Sequence, residues 1–190
     1  MKKIISLFVR NHAAGELTRE VTPGAEWVTA GEGIATRKLD GTCCMVRDGK
    51  LYKRYELKDG KTPPPGFEPA TGMDPNTGKI QGWVPVGDGP DDRWHREAFA
   101  AIMPMSGPRH IGTYELLGPK VQGNPEQCRV HVLVPHGGEH MHGVPRTYDE
   151  LREYLAPLDI EGIVWHHPDG RMVKIKKKDF GLPRKPEGEK

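Results

Sequence analysis

The chain contains few cysteines and no long apolar run. Only 3 of its 190 residues are cysteine, and two of them, Cys43 and Cys44, are adjacent. Adjacent cysteines rarely bond to each other, so we expect reduced thiols in a cytoplasmic protein. The apolar stretch from Ile4 to Val9 ends at Arg10, which makes it too short for a signal-peptide core or a membrane span. It predicts a first β-strand, and we expect no membrane partner.

Charge of one sign does not dominate either, since the formal net charge is +2. Residues 171–190 nevertheless carry eight basic and three acidic side chains, a local charge of +5, which leaves −3 on the rest of the chain. A basic end on a near-neutral body predicts a local contact with a polyanion, and the alternative is a solubilising tail. We expect residues 183–190 to form a basic, flexible tail.

Glycine and proline, in contrast, are abundant, with 24 and 18 residues. They predict many turns and long connections rather than a helical bundle. Both are concentrated in residues 61–92, which we expect to form a Pro/Gly-rich loop interrupted only at residues 82–84. The hydrophobic content of 35% and the length of the chain predict a single domain over residues 1–190.

Alternation of apolar and polar residues and helical spacing predict the other elements. We expect one hairpin over residues 34–57, with Asp48-Gly49 as the turn, and a second hairpin formed by residues 160–166 and 171–177. Two further strands are expected at residues 111–117 and 129–134. One helix is expected between Asp91 or Asp92 and Pro104, and a second behind a capping box of Thr147 and Glu150. Strands with two helices predict an α+β fold with antiparallel sheet.

The most informative motif is Lys38-Leu39-Asp40-Gly41. On an extended backbone residues i and i+2 project to one face, so Lys38 and Asp40 would share a face, and Gly41 would let the chain reverse tightly. A lysine held beside a carboxylate can act as a covalent nucleophile. The alternative is a surface turn with a solvated ion pair.

Charged side chains in four further segments supply the residue types that nucleotidyl transfer needs. They are Arg54 after Lys53, Glu115 in an apolar strand, Glu161 at the start of a buried strand, and Lys174 with Lys176 opposite Val173 and Ile175. Cations near a lysine favour its neutral, nucleophilic form and neutralise charge on an α-phosphate under attack. Carboxylates at Asp40 and Glu161 suit Mg²⁺, and Glu115 can accept hydrogen bonds from ribose hydroxyls.

Taken in order, the five segments resemble motifs I, Ia, III, IV and V of the covalent nucleotidyltransferase superfamily, which comprises DNA ligases, RNA ligases and mRNA-capping enzymes. The resemblance spans about residues 34–182. Four longer strings are similar to those of small stand-alone ATP-dependent RNA ligases: Lys38–Cys43, Gly82–Val86, Gly112–Leu116 and Asp179–Gly181.

The resemblance implies a nucleotidyltransferase domain with two antiparallel sheets flanking a nucleotide cleft and no OB-fold. Its activity would be ATP-dependent joining of RNA 5′-phosphate and 3′-hydroxyl ends, with a monomer as the simplest state. The catalytic residues would be Lys38, which takes AMP, together with Arg54, Lys174 and Lys176. The nucleotide would be bound by Lys38, Asp40, Glu115, Glu161, Lys174 and Lys176, and the metal ion, Mg²⁺ or Mn²⁺, by Asp40 and Glu161.

Two features depart from the superfamily pattern. Cys43 stands where many ligases have an arginine, and we expect Arg54 or Arg47 to compensate. The aromatic side chain that stacks on adenine is not identified, because Tyr114 should point to the face opposite Glu115.

A histidine-rich segment leaves a further alternative open. The histidines at 136, 140 and 142, with Glu139 nearby, do not match a known ligand spacing for zinc. We expect a loop that faces RNA or solvent there, with a metal site as the lesser alternative.

Three rival functions share parts of this pattern. DNA ligases and GTP-using capping enzymes carry an OB-fold after motif V, for which the 14 residues that follow Lys176 are too few. A non-catalytic RNA-binding module would have no physical need for the full set of lysines and carboxylates. The sequence therefore favours an RNA ligase.

Overall fold

The protein is described by a computed structural model that covers residues 4–11, 15–75, 77–102 and 111–185. The strands are β1 (Ile5–Ser6), β2 (Phe8–Asn11), β3 (Glu16–Val21), β4 (Ile34–Lys38), β5 (Thr42–Arg47), β6 (Lys50–Lys58), β7 (Glu68–Asp74), β8 (Lys79–Pro85), β9 (Gly112–Leu117), β10 (Val132–Pro135), β11 (Gly162–His166) and β12 (Met172–Lys176). The helices are α1 (Glu26–Thr29), α2 (Arg93–Ile102) and α3 (Tyr148–Leu155). The expected α+β class is confirmed.

These elements form two compact units. The first unit comprises residues 40–136 and the second comprises residues 4–39 and 137–185. The chain passes from the second unit to the first between Leu39 and Asp40 and returns between His136 and Gly137. The expectation of a single domain stays a prediction.

The first unit is a six-stranded antiparallel sheet with the strand order β10-β9-β5-β6-β8-β7. Alternation along β5 and β9 sends Cys44, Val46, Tyr114 and Leu116 into a core that Ala98 of α2 completes. Because side chains alternate between faces, the residues between them project from the other face of the sheet. The first unit therefore presents one apolar face to its helix, and Cys43 and Glu115 project from the opposite face.

The second unit contains a four-stranded sheet with the order β1-β12-β11-β4 and a separate β2–β3 pair. β1 is parallel to β12, and the other pairs are antiparallel. One face of the larger sheet is apolar and packs with α3, whose Leu151 and Leu155 are fully buried. That face is formed by Ala35, Ile163, Trp165, Val173 and Ile175. The opposite face carries Lys38 of β4 and Lys174 and Lys176 of β12.

The expected hairpin over residues 34–57 is correct only in its second part. Residues Asp48 and Gly49 both have positive φ, 51° and 69°, and connect β5 to β6 as a tight hairpin turn. β4, however, pairs with β11 of the second unit and not with β5. The two segments lie in different sheets because the chain crosses between units after Leu39.

The expectation of a loop over residues 61–92 is wrong for β7 and β8, which form the outer hairpin of the six-stranded sheet. Proline is tolerated there because β7 is an edge strand, where a missing N–H breaks no pairing on the outer side. The register also shifts between Pro69 and Met73. Trp83 of β8 is buried, which anchors this hairpin.

The remaining predicted elements need smaller corrections. The stretch from Ile4 to Val9 divides at Leu7 into two strands of different sheets. α3 begins as expected, but the Thr147 hydroxyl donates to the Glu150 carboxylate at 2.6 Å instead of capping a backbone N–H. Pro104 and residues 186–190 lie outside the described residues, so the end of α2 and most of the expected tail are not tested. Arg184 is held by an ion pair with Asp159.

Candidate active site

Three lysines and one carboxylate meet on the polar face of the second unit's larger sheet. Lys38 Nζ donates to Glu161 Oε2 at 2.5 Å, and Lys176 Nζ forms an ion pair with Glu161 Oε1. Lys174 lies on the same strand two residues before Lys176 and interacts electrostatically with the other three groups. We call these four residues the lysine cluster.

Strand register explains why these residues meet. Gly162 is paired with Lys38 on one side and with Lys176 on the other, so the two lysines flank a residue that has no side chain. A Cβ atom at Gly162 would lie 2.0 Å from the Ile175 carbonyl oxygen, which excludes any larger residue. The expected alternation in β12 is confirmed, since Val173 and Ile175 are buried in the core.

The lysine cluster shifts the protonation of its own members. Burial opposes ionisation of Glu161, but the charges and hydrogen bonds of Lys38 and Lys176 outweigh it and hold the pKa of this carboxyl below its usual range. Burial, reinforced by the charges of Lys176 and Lys38, lowers the pKa of Lys174 to about 8. The site therefore combines an ionised carboxylate with a lysine that loses its proton readily.

Asp179 supports the end of β12. Its carboxylate accepts a hydrogen bond from the Lys176 backbone N–H at 3.1 Å and forms an ion pair with Arg10. Asp179 is almost fully buried, and both of its carboxylate oxygens are used. It thus fixes the backbone from which Lys176 projects.

Lys177 follows Lys176 directly in the sequence but is not part of the lysine cluster. It is 1% exposed, and its ammonium group donates to the carbonyl oxygens of Ala156, Leu158 and Arg184 at 3.2, 2.5 and 2.9 Å. These contacts close the C-terminal segment onto the end of α3. Lys177 is therefore a structural lysine.

In the first unit, Glu115 receives two hydrogen-bonding groups. The Gly41 backbone N–H donates to Glu115 Oε1 at 3.1 Å, and His136 Nε2 lies 2.7 Å from Glu115 Oε2. The backbone N–H of Asp40 donates to Glu126 at 3.0 Å. Sequence patterns gave no sign of His136 or Glu126 as neighbours of these predicted site residues.

The reason for glycine at position 41 differs from the expected one. Gly41 does not have a positive φ. A Cβ atom there would instead lie 2.2 Å from the Leu116 carbonyl oxygen and 3.0 Å from the Glu115 side chain. The glycine is needed for close approach to β9, which lets its N–H reach Glu115.

Arg54, and not Arg47, lies beside Cys43. Lys53 is paired with Cys44, so the same register continued by one residue sets Arg54 next to Cys43, and the two side chains interact electrostatically. Burial lowers the pKa of Arg54, and its guanidinium lies 5.0 Å from the centre of the Trp83 ring. Arg47 forms an ion pair with Glu68 instead. The structure therefore favours Arg54 as the compensating arginine.

Cys43, Glu115 and His136 form a second cluster, which we call the donor cluster. One ligand atom from each lies within 4.8 Å of the others. His140 and His142, which the lesser alternative of a metal site had grouped with His136, are not among the residues of this cluster. Cross-strand neighbours cannot be read from spacing along the chain, so this cluster had no sequence signal.

Comparison with known proteins identifies the family of this chain. The sequence profile of the RNA ligase 1 family matches residues 93–189, which is half of the chain. The chain belongs to the RNA ligase 1 family. The match includes Glu115, His136, Glu161, Lys174 and Lys176, whereas Lys38 lies before it.

Individual RNA ligase 1 proteins extend the similarity. The protein called RNA ligase 1 of Mus musculus is 27% identical over 78% of this chain and 67% of its own length. That of Rattus norvegicus is 26% identical with the same coverage. That of Danio rerio is 25% identical over 87% of this chain and 72% of its own length. Within the described residues, no helix has the length and apolar character that crossing a membrane requires.

Proposed function

We propose that this member of the RNA ligase 1 family is an ATP-dependent RNA ligase that works through AMP bound covalently to Lys38. The observation that carries the proposal is the lysine cluster, in which the Lys38 ammonium group lies 2.5 Å from Glu161. The cluster has one candidate nucleophile, two further cations and an ionised carboxylate, which are the groups that a covalent attack on a phosphate needs. The names of the relatives support RNA as the substrate.

In the first step the neutral amine of Lys38 attacks the α-phosphorus of ATP. A nitrogen–phosphorus bond forms, the bond to pyrophosphate breaks, and the proton lost by the lysine passes to solvent. Lys174 and Lys176 would stabilise the negative charge that builds on the α-phosphate. Glu161 holds Lys38 in place through its Oε2 atom and Lys176 through its Oε1 atom, so the attacking group and one of the stabilising cations share a single anchor.

The next two steps use RNA. An oxygen of the RNA 5′-phosphate attacks the phosphorus bound to Lys38, so that an RNA–AMP pyrophosphate bond forms and the nitrogen–phosphorus bond breaks. The Lys38 nitrogen takes up a proton from solvent and leaves as the amine. The RNA 3′-hydroxyl oxygen then attacks the 5′-phosphate phosphorus, a phosphodiester bond forms, and AMP leaves. The hydroxyl proton is lost to solvent. The third step needs no lysine adduct.

A divalent ion fits part of this site. Glu161 is kept ionised by its lysine neighbours, and an ionised carboxylate is the ligand that Mg²⁺ prefers, with Mn²⁺ as the alternative. When bound, the ion would supply additional positive charge for the phosphates of ATP. Asp40 stays a predicted metal ligand, as do the roles of Glu115 in ribose binding and of Arg54 in catalysis.

RNA contact is proposed for the basic stretch that includes Arg171 and Lys178. Both side chains are exposed, and lysines and arginines that neutralise phosphates release counterions, so binding should weaken as salt rises. Arg171 is partly engaged by an ion pair with Asp169. We therefore expect Lys178 to contribute more directly to a phosphate contact.

The experiment that tests RNA ligation isolates the third step. We expect Lys38→Ala protein to join pre-adenylylated RNA while failing on 5′-phosphate RNA supplied with ATP, because only the first step needs the amine. Lys58→Ala, which changes an exposed lysine of β6, is the matched control and should perform both reactions. If wild-type protein labels itself with AMP but neither it nor Lys38→Ala seals the activated RNA, RNA is not the acceptor.

A further inference from the structure

The face of the first unit's sheet opposite α2 brings a thiol, an imidazole and a carboxylate together. Cys43 of β5 is paired directly with Glu115 of β9. Val134 of β10 is paired with Glu115 on the other side, so His136, two residues later, projects diagonally on the same face. The backbone N–H of His136 continues the pairing by donating to the Thr113 carbonyl oxygen at 3.1 Å. Three neighbouring strands thus each supply one ligand type.

We propose that Cys43, Glu115 and His136 form a three-ligand site for a soft divalent cation of the Zn²⁺ class. Cysteine sulfur, histidine nitrogen and carboxylate oxygen are the three ligand types that Zn²⁺ takes from proteins. Hard cations such as Mg²⁺ prefer oxygen atoms and gain little from a thiol or an imidazole. The residue types therefore select against the ion that the ligase reaction is proposed to use.

The spacing of the donor atoms fits this ion. They lie within 4.8 Å of one another, and the ligand atoms around a tetrahedral Zn²⁺ are separated by about 3.3–3.8 Å. The contact of 2.7 Å between His136 Nε2 and Glu115 Oε2 would open by about 1 Å to admit the ion. Small side-chain rotations are enough, because the strand register already fixes the three Cα positions.

Burial and hydrogen bonding also suit a bound ion. The side chains of Glu115 and His136 are 9% and 24% exposed, so the donor atoms are partly shielded while an entry path remains. His136 Nδ1 is buried and, among the described residues, has no hydrogen-bond partner, whereas Nε2 faces the Glu115 carboxylate and is the nitrogen nearer to that donor. Glu115 is oriented by the Gly41 N–H, as ligating carboxylates usually are.

Binding of Zn²⁺ to these three ligands is accompanied by the loss of a proton from the protein. Zn²⁺ displaces the proton of the Cys43 thiol and forms a sulfur–zinc bond, so one proton is released for each ion bound. Zn²⁺ takes histidine as the neutral imidazole and glutamate as the carboxylate. Three protein ligands leave a fourth position for water, as in open zinc sites.

The site has a regulatory consequence that rests on the proposed function. Glu115 is the residue predicted to accept hydrogen bonds from the ribose of ATP. An ion bound to its carboxylate would occupy that acceptor, so Zn²⁺ should lower self-labelling by ATP even when Mg²⁺ is abundant. Cys43 and His136 would then decide whether the protein is sensitive to zinc.

The direct test uses Co²⁺ and Zn²⁺ with the full chain. Co²⁺ should give a thiolate-to-cobalt charge-transfer band that one equivalent of Zn²⁺ removes. Cys43→Ser and His136→Gln should each weaken Zn²⁺ binding by about tenfold or more, since loss of even a supporting group near a metal costs about 10–100-fold. Cys128→Ser and His142→Gln are matched controls outside the cluster and should bind like wild type. Equal Zn²⁺ affinity of Cys43→Ser and wild type would overturn the proposal.

A second measurement needs no variant. Zn²⁺ should slow alkylation of Cys43 in wild-type protein, measured by peptide mass spectrometry, and leave the rate at Cys128 unchanged. Unchanged alkylation of Cys43 at saturating Zn²⁺ would contradict the site. These binding readouts do not depend on ATP, so a protein that binds Zn²⁺ but never labels itself would refute the ligase proposal and not the metal site.

Discussion

The lysine cluster of the second unit and the donor cluster of the first unit are built in different ways. In the lysine cluster a single strand, β12, supplies Lys174 and Lys176, and alternation alone sends both to the polar face. In the donor cluster three strands supply one residue each, and only the register of β5, β9 and β10 brings them together. The pair of lysines on β12 is therefore local in sequence, whereas strand pairing brings Lys38 and Glu161 to that pair and assembles the whole donor cluster.

The two clusters also differ in charge and in the ion they would accept. The lysine cluster contains three ammonium groups around Glu161, so it attracts the phosphates of a nucleotide. The donor cluster contains Glu115 with a thiol and an imidazole, so it attracts a soft cation. Under the two proposals, the lysine cluster would bind a polyanion and the donor cluster would bind a metal ion.

The largest predicted effect is the loss of AMP labelling when one lysine of the lysine cluster is removed. We expect Lys174→Ala and Lys176→Ala each to lower the rate of AMP labelling by about 10²–10³-fold, as loss of one group that stabilises developing charge usually does. Neither lysine packs in the core, so cooperative unfolding should be retained. Lys178→Ala is the control, and a loss of labelling there as large as at Lys174 would show that general positive charge, and not the cluster, matters.

Lys177 separates structural lysines from those of the cluster. Lys177→Met keeps the apolar stem but leaves three carbonyl acceptors without their ammonium donor. We expect the free energy of unfolding to fall by about 2–3 kcal/mol, measured by urea denaturation. Labelling by the folded fraction should fall far less than in Lys174→Ala. A normal stability with abolished labelling would place Lys177 in the cluster and contradict this assignment.

Gly41→Ala tests the cross-strand arrangement of the first unit. The added Cβ would lie 2.2 Å from the Leu116 carbonyl oxygen, so β5 and β9 must move apart locally. We expect a loss of about 1–3 kcal/mol in the free energy of unfolding, as for other overpacked sites. Gly49→Ala is not a suitable control because Gly49 has a positive φ; Gly72, which has open space around it, is suitable. Equal stability of Gly41→Ala and Gly72→Ala would mean that the close approach is not required.

The smallest predicted effect is a change in the free energy of unfolding with pH. The pKa of Lys174 is lowered to about 8 from an ordinary value of 10.5. Between these values the unfolded chain keeps a proton on this residue that the folded chain has lost, so the contribution of Lys174 to the free energy of unfolding rises with pH. Wild type should therefore gain stability relative to Lys174→Met between pH 8 and 10. A difference between the two proteins that stays constant with pH would contradict the shift.

Part of this structure could be predicted from sequence because it depends on neighbours along the chain. Alternation predicted the two faces of β12, and turn chemistry predicted the hairpin at Asp48 and Gly49. The strands β7 and β8 were missed because proline content outweighed their alternation, although an edge strand tolerates Pro69.

Non-local pairing explains the other failures. β4 was included in the predicted hairpin over residues 34–57, whereas its partner is β11, more than a hundred residues later. The same limit hid the donor cluster, since Cys43 and His136 are related only through β9. The packing of Gly162 against Ile175 likewise becomes evident only when β11 and β12 are aligned.

The central claim is that Lys38 is the nucleophile of the second unit's cluster. The most direct measurement is incubation of the protein with α-labelled ATP and Mg²⁺ without nucleic acid, followed by mapping of the modified peptide. We predict that wild type acquires one AMP group on Lys38, that GTP does not replace ATP, and that Lys38→Ala remains unlabelled. An equal label on Lys38→Ala would contradict the nucleophile assignment, and a preference for GTP would contradict the ligase in favour of a capping activity.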